Sequence, residues 1–399
     1  MDTSASEGKT TMSMTPLSPW AVLRALVACF ALAAACSGSD PNEPEPGPRA
    51  GLQQIVDSIR TAYGLPALGG AIVTVDAEEF AIAVAGVRRL PGGSAATTED
   101  LWHLGSNFKA FTAMLAATAV DRDEIEWTTT LAEAFPELEP TMREEYRDVT
   151  LRDVLSHRAG LPRDPAAEAI SGQDRTAQRL SVTAWAVTQP PASAYGTYAY
   201  TNTGYMVAAA MLERAMGERF EDAMASRIFA PLGIADAGFG PQDAAGGSAQ
   251  PVGHRWQGGQ WVAVERFDNP PVYASAGGAH MSIGSWARFL QEVLRVEAGK
   301  PTIVSVEAGQ QTTSAVTPIS GDDAYGMGWV ITSRSWAGGK TLTHDGTNTA
   351  NSSVTWMAPL RGFAVLAVTN AYDGSQDSRT WRALDALSAR LIAYHQTGR

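Results

Sequence analysis

The chain has 399 residues, 45% hydrophobic and 18% charged, with 30 Lys and Arg against 42 Asp and Glu for a formal net charge of -12. A chain of this length and apolar content can bury a large core, and is expected to form one large domain with an inserted lobe, or two domains. The acidic balance, with no long basic run, argues against a nucleic-acid partner, because phosphate binding needs clustered Lys and Arg.

Behind Arg24 lies an apolar run of 11 residues, 25–35. It is too short to span a bilayer and suits the hydrophobic region of a secretory signal, so residues 1–35 are expected to direct export to the periplasm or cell envelope. Leu32-Ala33-Ala34-Ala35-Cys36 resembles a bacterial lipoprotein signal, which would lipidate Cys36 and tie the protein to a membrane. The leucine lies one position further upstream than the usual pattern, and ordinary cleavage near Ala35 is the alternative. Cys29 and Cys36 are the only cysteines, so the exported chain keeps at most one and has no internal disulfide. Residues 36–50 carry almost no apolar side chains and read as an extended tether.

The folded part is expected over 51–399. Leu52, Ile55, Ile59 and Tyr63 mark an amphipathic helix, closed by Gly64-Leu65-Pro66. Two short apolar strands follow at 69–74 and 80–87. The next stretch reads as a helix from Ser106 to about Asp121, with Phe108, Phe111, Met114 and Leu115 at helical intervals. On that helix Lys109 stands one turn from Ser106. A serine hydroxyl is a weak nucleophile until a neighbour takes its proton, and an amine one turn away can do so. Lys109 is one of only four lysines and leads into the apolar Ala110-Phe111-Thr112-Ala113-Met114-Leu115, which suits a buried helix more than a solvated one.

A helical, loop-rich region extends to about Phe239, with Thr150 as an expected N-cap for 151–155. Tyr200-Thr201-Asn202 precedes a helix carrying Met206, Ala209, Ala210 and Leu212. In an extended segment Tyr200 and Asn202 face the same way. From about residue 323 the pattern turns strand-like, at 328–332, 341–343, 353–357 and 363–368, and a last helix covers 381–394. Strands at both ends with helices between suggest one sheet assembled from distant segments. The expected division is an α/β part over about 51–120 and 280–395, with a helical lobe over about 121–279.

The nucleophile elbow Gly-x-Ser-x-Gly does not occur in the sequence. His-Glu-x-x-His and paired-cysteine motifs do not occur either, so neither metal nor cofactor is implied. His103, His157, His254, His280 and His395 show no ligand spacing and read as structural or surface residues.

Ser106-Asn107-Phe108-Lys109, Tyr200-Thr201-Asn202 and His344-Asp345-Gly346 occur in that order. The set resembles the three active-site motifs of the serine β-lactamase and penicillin-binding protein superfamily, nearest its class C β-lactamase, D-Ala-D-Ala carboxypeptidase and esterase branch. Flanking landmarks agree, among them 155–162, 231–234, 276–278 and 325–329, and the likeness covers about 51–395. It implies an α+β fold of β-lactamase/transpeptidase type, an antiparallel sheet flanked by helices with an inserted mainly helical lobe. It also implies an acyl-enzyme on Ser106, with Lys109 and Tyr200 moving protons. Asn202, His344, Gly346 and Thr347 would bind substrate, the backbone N–H groups of Ser106 and Thr347 forming the oxyanion hole. The class C enzymes usually carry Lys-Thr-Gly at the third motif, whereas His-x-Gly resembles the peptidases and esterases. The expected substrate is therefore a small ester, an amide or a peptidoglycan-type peptide, ahead of a β-lactam. Asp345, if it faced the cleft, would repel a substrate carboxylate. A surface sensor that keeps the fold and turns over nothing is the competing reading.

Overall fold

The structure is a computed structural model that describes residues 48–244, 249–374 and 377–398. The expected signal segment and Cys36 lie outside the described residues. The strands of the main sheet are β1 (Ala67–Thr74), β2 (Ala81–Gly86), β3 (Thr317–Ser320), β4 (Asp323–Tyr325), β5 (Val330–Arg334), β6 (Gly339–Thr347), β7 (Ser352–Ala358) and β8 (Phe363–Thr369). They lie in the order β2-β1-β8-β7-β6-β5-β4-β3, every neighbouring pair antiparallel. β1 joins β8 from Leu68 opposite Thr369 to Thr74 opposite Phe363. The two ends of the sequence thus meet in one sheet. Every residue of β8 is buried, because helices cover both faces, and such a strand reads as a continuous apolar run.

The longer helices are α1 (Pro48–Tyr63), α2 (Lys109–Asp121), α3 (Arg175–Ala186), α4 (Asn202–Met216), α5 (Ile283–Glu297) and α6 (Arg379–Thr397). On one face of the sheet, Leu52 and Val56 of α1 and Leu384, Leu387 and Leu391 of α6 pack on Leu68, Val354 and Val365. On the other, Phe111 and Met114 of α2 and Phe289 and Leu290 of α5 pack on Val73, Leu342 and Leu366. The helical lobe lies beyond α2, so α2 is covered on all sides and residues 109–119 are all buried. That placement keeps Lys109 dry.

Three expectations are corrected. Ser106 does not begin the helix, but sits in a 3-10 turn, Gly105–Phe108, ahead of α2. Gly105 takes φ +52, and a Cβ there would lie 2.2 Å from the Thr347 nitrogen, so the sheet edge shapes that turn. The second motif is not wholly extended: Thr201 is extended (φ −141, ψ 130), caps α4 by accepting a hydrogen bond from Gly204 N, and leaves Asn202 as the first helical residue. The stretch expected to be helical over 121–279 also contains a hairpin, Gly253–Gln257 with Gln260–Val264, turned by Gly258 and Gly259 at positive φ.

Candidate active site

Four of the residues singled out from the sequence meet at one point. Lys109 Nζ lies 3.1 Å from Ser106 Oγ, and the Tyr200 hydroxyl donates to the same oxygen at 2.7 Å. Lys109 also donates to Asn202 Oδ1 at 2.8 Å and to the Ala276 carbonyl at 2.6 Å. Carbonyl and amide oxygens only accept, so these two take two N–H bonds. The third position of the amine faces Ser106. Burial holds the Lys109 pKa well below the usual lysine value, with Asp164 opposing that shift and Arg163 reinforcing it. In its neutral form Lys109 therefore turns its lone pair to the serine hydroxyl. Burial moves Tyr200 the other way, well above the usual phenol value, so Tyr200 keeps its proton as a donor.

The remaining walls come from separate elements. Thr112 Oγ1 donates to the Ser275 carbonyl at 2.7 Å, fixing the 274–277 turn that presents the Ala276 oxygen. His157, fully buried at φ +59, accepts from Thr201 N at 3.2 Å through Nδ1, and its ring lies 4.4 Å from that of Tyr200. The second motif is thus held from behind. Asn202, beside its contact with Lys109, has a further partner. Its Nδ2 donates to Asp164 Oδ1 at 2.8 Å, and the Tyr273 hydroxyl donates to the same oxygen at 3.3 Å. The amide thus bridges Lys109 and Asp164. Asp164 and Tyr273 were not legible in the sequence, since neither belongs to a motif; only the run from Gly160 to Asp164 beside a landmark segment could have pointed to the aspartate.

At the third motif, Gly346 and Thr347 abut the nucleophile turn. A Cβ on Gly346 would lie 2.1 Å from the Leu104 carbonyl and 2.9 Å from Ser106 N, so only glycine lets the strand edge come this close. Ser353 Oγ accepts from Asn107 Nδ2 at 2.8 Å and donates to the Leu104 carbonyl at 2.7 Å, pinning the turn to β7. His344, expected to meet substrate, is buried with both ring nitrogens engaged. Nδ1 lies 2.6 Å from the Asp345 carbonyl and so carries the proton, while Nε2 accepts from the Tyr325 hydroxyl at 3.0 Å. Burial pushes its pKa down to about 4. His344 is therefore neutral at ordinary pH and has no N–H free for a substrate. Asp345 does not face the cleft: it pairs with Val354, whose side chain belongs to the core under α1 and α6. Alternation along β6 puts Asp345 on that same far face.

A family model described as Beta-lactamase matches residues 52–390. Penicillin-binding protein 4 of Amycolatopsis lactamdurans is 30% identical over 193 residues, 48% of this chain and 49% of that protein. Unguisins hydrolase ungD' of Aspergillus campestris is 25% identical over 319 residues, 76% of this chain and 58% of that protein. The chain thus spans 49% and 58% of the length of these curated relatives. Among solved structures, D-amino acid amidase from Ochrobactrum anthropi superposes with a TM-score of 0.70 at 19% identity, over 87% of this chain and 100% of that one. The octameric penicillin-binding protein homologue from Pyrococcus abyssi gives 0.68 at 20% identity, over 86% and 77%. At such identities these likenesses speak to the fold alone.

Proposed function

The chain belongs to the beta-lactamase family, within the serine β-lactamase and penicillin-binding protein superfamily, and from that premise we propose that it is an exported serine hydrolase cleaving an ester or amide bond through an acyl-enzyme on Ser106. The arrangement around Lys109 carries this reading: two acceptors occupy its N–H bonds and leave its lone pair for the serine. Lys109 takes the Ser106 proton as Oγ attacks the substrate carbonyl carbon. The N–H groups of Ser106 and Thr347 stabilise the resulting oxyanion. As the scissile bond breaks, Tyr200 gives its proton to the leaving oxygen or nitrogen and is reprotonated from the Lys109 ammonium. Water then attacks the acyl group by the reverse relay, restoring Ser106.

The substrate is an ester or a D-amino-acid amide or peptide rather than a β-lactam. A neutral His344 supplies no positive charge for a substrate carboxylate, which supports an ester or amide that presents none there. Among the curated relatives, one bears the name of a hydrolase of unguisins. Export, with lipidation at Cys36, completes the proposal: Cys36→Ser should release the protein from membranes, and unchanged fractionation would refute anchoring.

The test is labelling with a fluorophosphonate and a fluorescent penicillin, beside turnover of p-nitrophenyl esters, a chromogenic cephalosporin and a D-Ala-D-Ala peptide. Labelling and ester turnover that both vanish in Ser106→Ala are expected. An unlabelled, inactive wild type would favour a silent surface sensor, and cephalosporin turnover outpacing the esters would favour a β-lactamase.

A further inference from the structure

The serine turn and the end of β6 are joined by a second buried polar connection that the mechanism above leaves unused. His103, fully buried, lies two residues before Gly105 and accepts its N–H at 3.1 Å through Nδ1. Its proton is therefore on Nε2, which lies 3.0 Å from Asp268 Oδ1 in a close approach outside good hydrogen-bond alignment. The Asp268 side chain is 5% exposed and accepts from Asn269 N at 2.8 Å. Asn348 Nδ2 reaches the same Oδ1 at 3.4 Å and the Phe267 carbonyl at 3.3 Å. Asn348 Oδ1 in turn accepts from Ala350 N at 3.1 Å and Asn351 N at 3.0 Å. One end of this chain of contacts is the residue before Ser106, and the other is the residue after Thr347.

We infer that His103, Asp268 and Asn348 are positioning residues that set the relative placement of the two oxyanion donors, the N–H groups of Ser106 and Thr347. The inference rests on the hydrolase reading above. Donors on two separate segments, a turn and a strand end, stabilise a developing anion only while their spacing is held. A displacement of about 1 Å at such a site costs on the order of a hundredfold in rate. The connection through Asp268 runs from the serine turn to the residue after Thr347, while the Asn107–Ser353 contact separately ties the turn to β7. A buried aspartate beside an imidazole N–H and an amide N–H is chemically suited to that task, because its Oδ1 accepts from the Asn348 amide and lies 3.0 Å from the imidazole Nε2, which its charge attracts.

The test uses the full chain and a p-nitrophenyl ester with its thionoester counterpart, whose sulfur accepts hydrogen bonds poorly. Asp268→Ala and His103→Gln, which loses the acceptor for Gly105, should lower kcat by about 10–100-fold with KM changed less than about threefold. The ratio of ester to thionoester kcat/KM should fall by about tenfold, because the ester alone depends on well-placed donors. Asp268→Asn, which still accepts, should recover most of that ratio. Asn348→Asp keeps the acceptor for the 350–351 amides but sets a carboxylate against Asp268, and should lower the ratio while the protein remains folded by circular dichroism. Folded variants whose ester to thionoester ratio matches wild type would overturn the inference, even if their turnover fell. A wild type that neither labels nor turns over would overturn the hydrolase reading itself, and this inference with it.

Discussion

Replacing Asp164 by asparagine removes one negative charge and keeps an oxygen that can accept the 2.8 Å hydrogen bond from Asn202 Nδ2. Lys109 acts as a base only when neutral, and burial already holds its pKa well below the usual lysine value. Asp164 works against burial, because an anion near the amine favours ammonium. Two hydrogen bonds of 2.8 Å with the Asn202 amide between them put the carboxylate roughly 7 Å from Nζ, where a unit charge is worth about 1–2 kcal/mol at effective dielectrics of about 20–40. The Asp164 side chain is 44% exposed, so solvent screening trims this to about 1 kcal/mol. The Asp164→Asn variant should therefore move the acidic limb of kcat/KM to lower pH, by roughly half to one pH unit. The assay is kcat/KM for an uncharged p-nitrophenyl ester between about pH 5 and 9, which reports the free enzyme's essential groups. Arg163 has the opposite effect on Lys109, so Arg163→Gln should move the limb to higher pH. A limb that stays put in both variants, or moves the wrong way, would refute Lys109 as the titrating base.

Three further outcomes are expected. Lys109→Ala should lower ester turnover by at least about a hundredfold, and near-normal kcat would remove the amine from the chemistry. Arg179 is fully buried between Glu213 and Glu221 in the helical lobe; Arg179→Met leaves buried Glu213 without its arginine and Glu221 with only Arg175 at 3.8 Å, and should cost about 3–5 kcal/mol in urea unfolding, whereas a loss below about 1 kcal/mol would contradict the ion-pair account. His344 has a folded pKa of about 4 against the ordinary 6.5, so the unfolded chain binds more protons between those values. Its contribution to stability is therefore present above about pH 6.5 and is lost as pH falls toward 4. Thermal melts at pH 7 and pH 5 should differ less in His344→Gln than in wild type, and an equal difference would place the acid sensitivity in other groups.

The sequence was most informative where chemistry and periodicity are local. Ser106 and Lys109 are three residues apart in a helical pattern, and one turn of 3-10 followed by α2 keeps them adjacent. The strands β1, β2 and β8 are apolar runs, as strands covered on both faces need, and β5 to β7 read as strand-like stretches between Gly-rich or Pro-containing turns. β3 and β4 are short and carry polar residues such as Ser320 and Asp323, too little for a period to register. The hairpin at 253–264 carries little sequence signal beyond its Gly258-Gly259 turn, because its strands are only half buried.

What the order of residues determined by itself is the identity of the reacting groups: a hydroxyl, an amine and a phenol in motifs whose types and succession are chemically specific. What only the folded chain decided is how those groups are set. Asp164, Tyr273 and Asp268 come from segments with no fixed spacing to the motifs, and their roles follow from proximity that no local pattern encodes. The same holds for His344 and Asp345, neighbours in sequence that β6 sends to opposite faces, one behind the phenol and the other toward α6. Side-chain type is a property of the sequence, whereas burial, partner and charge state are properties of what the rest of the chain brings alongside.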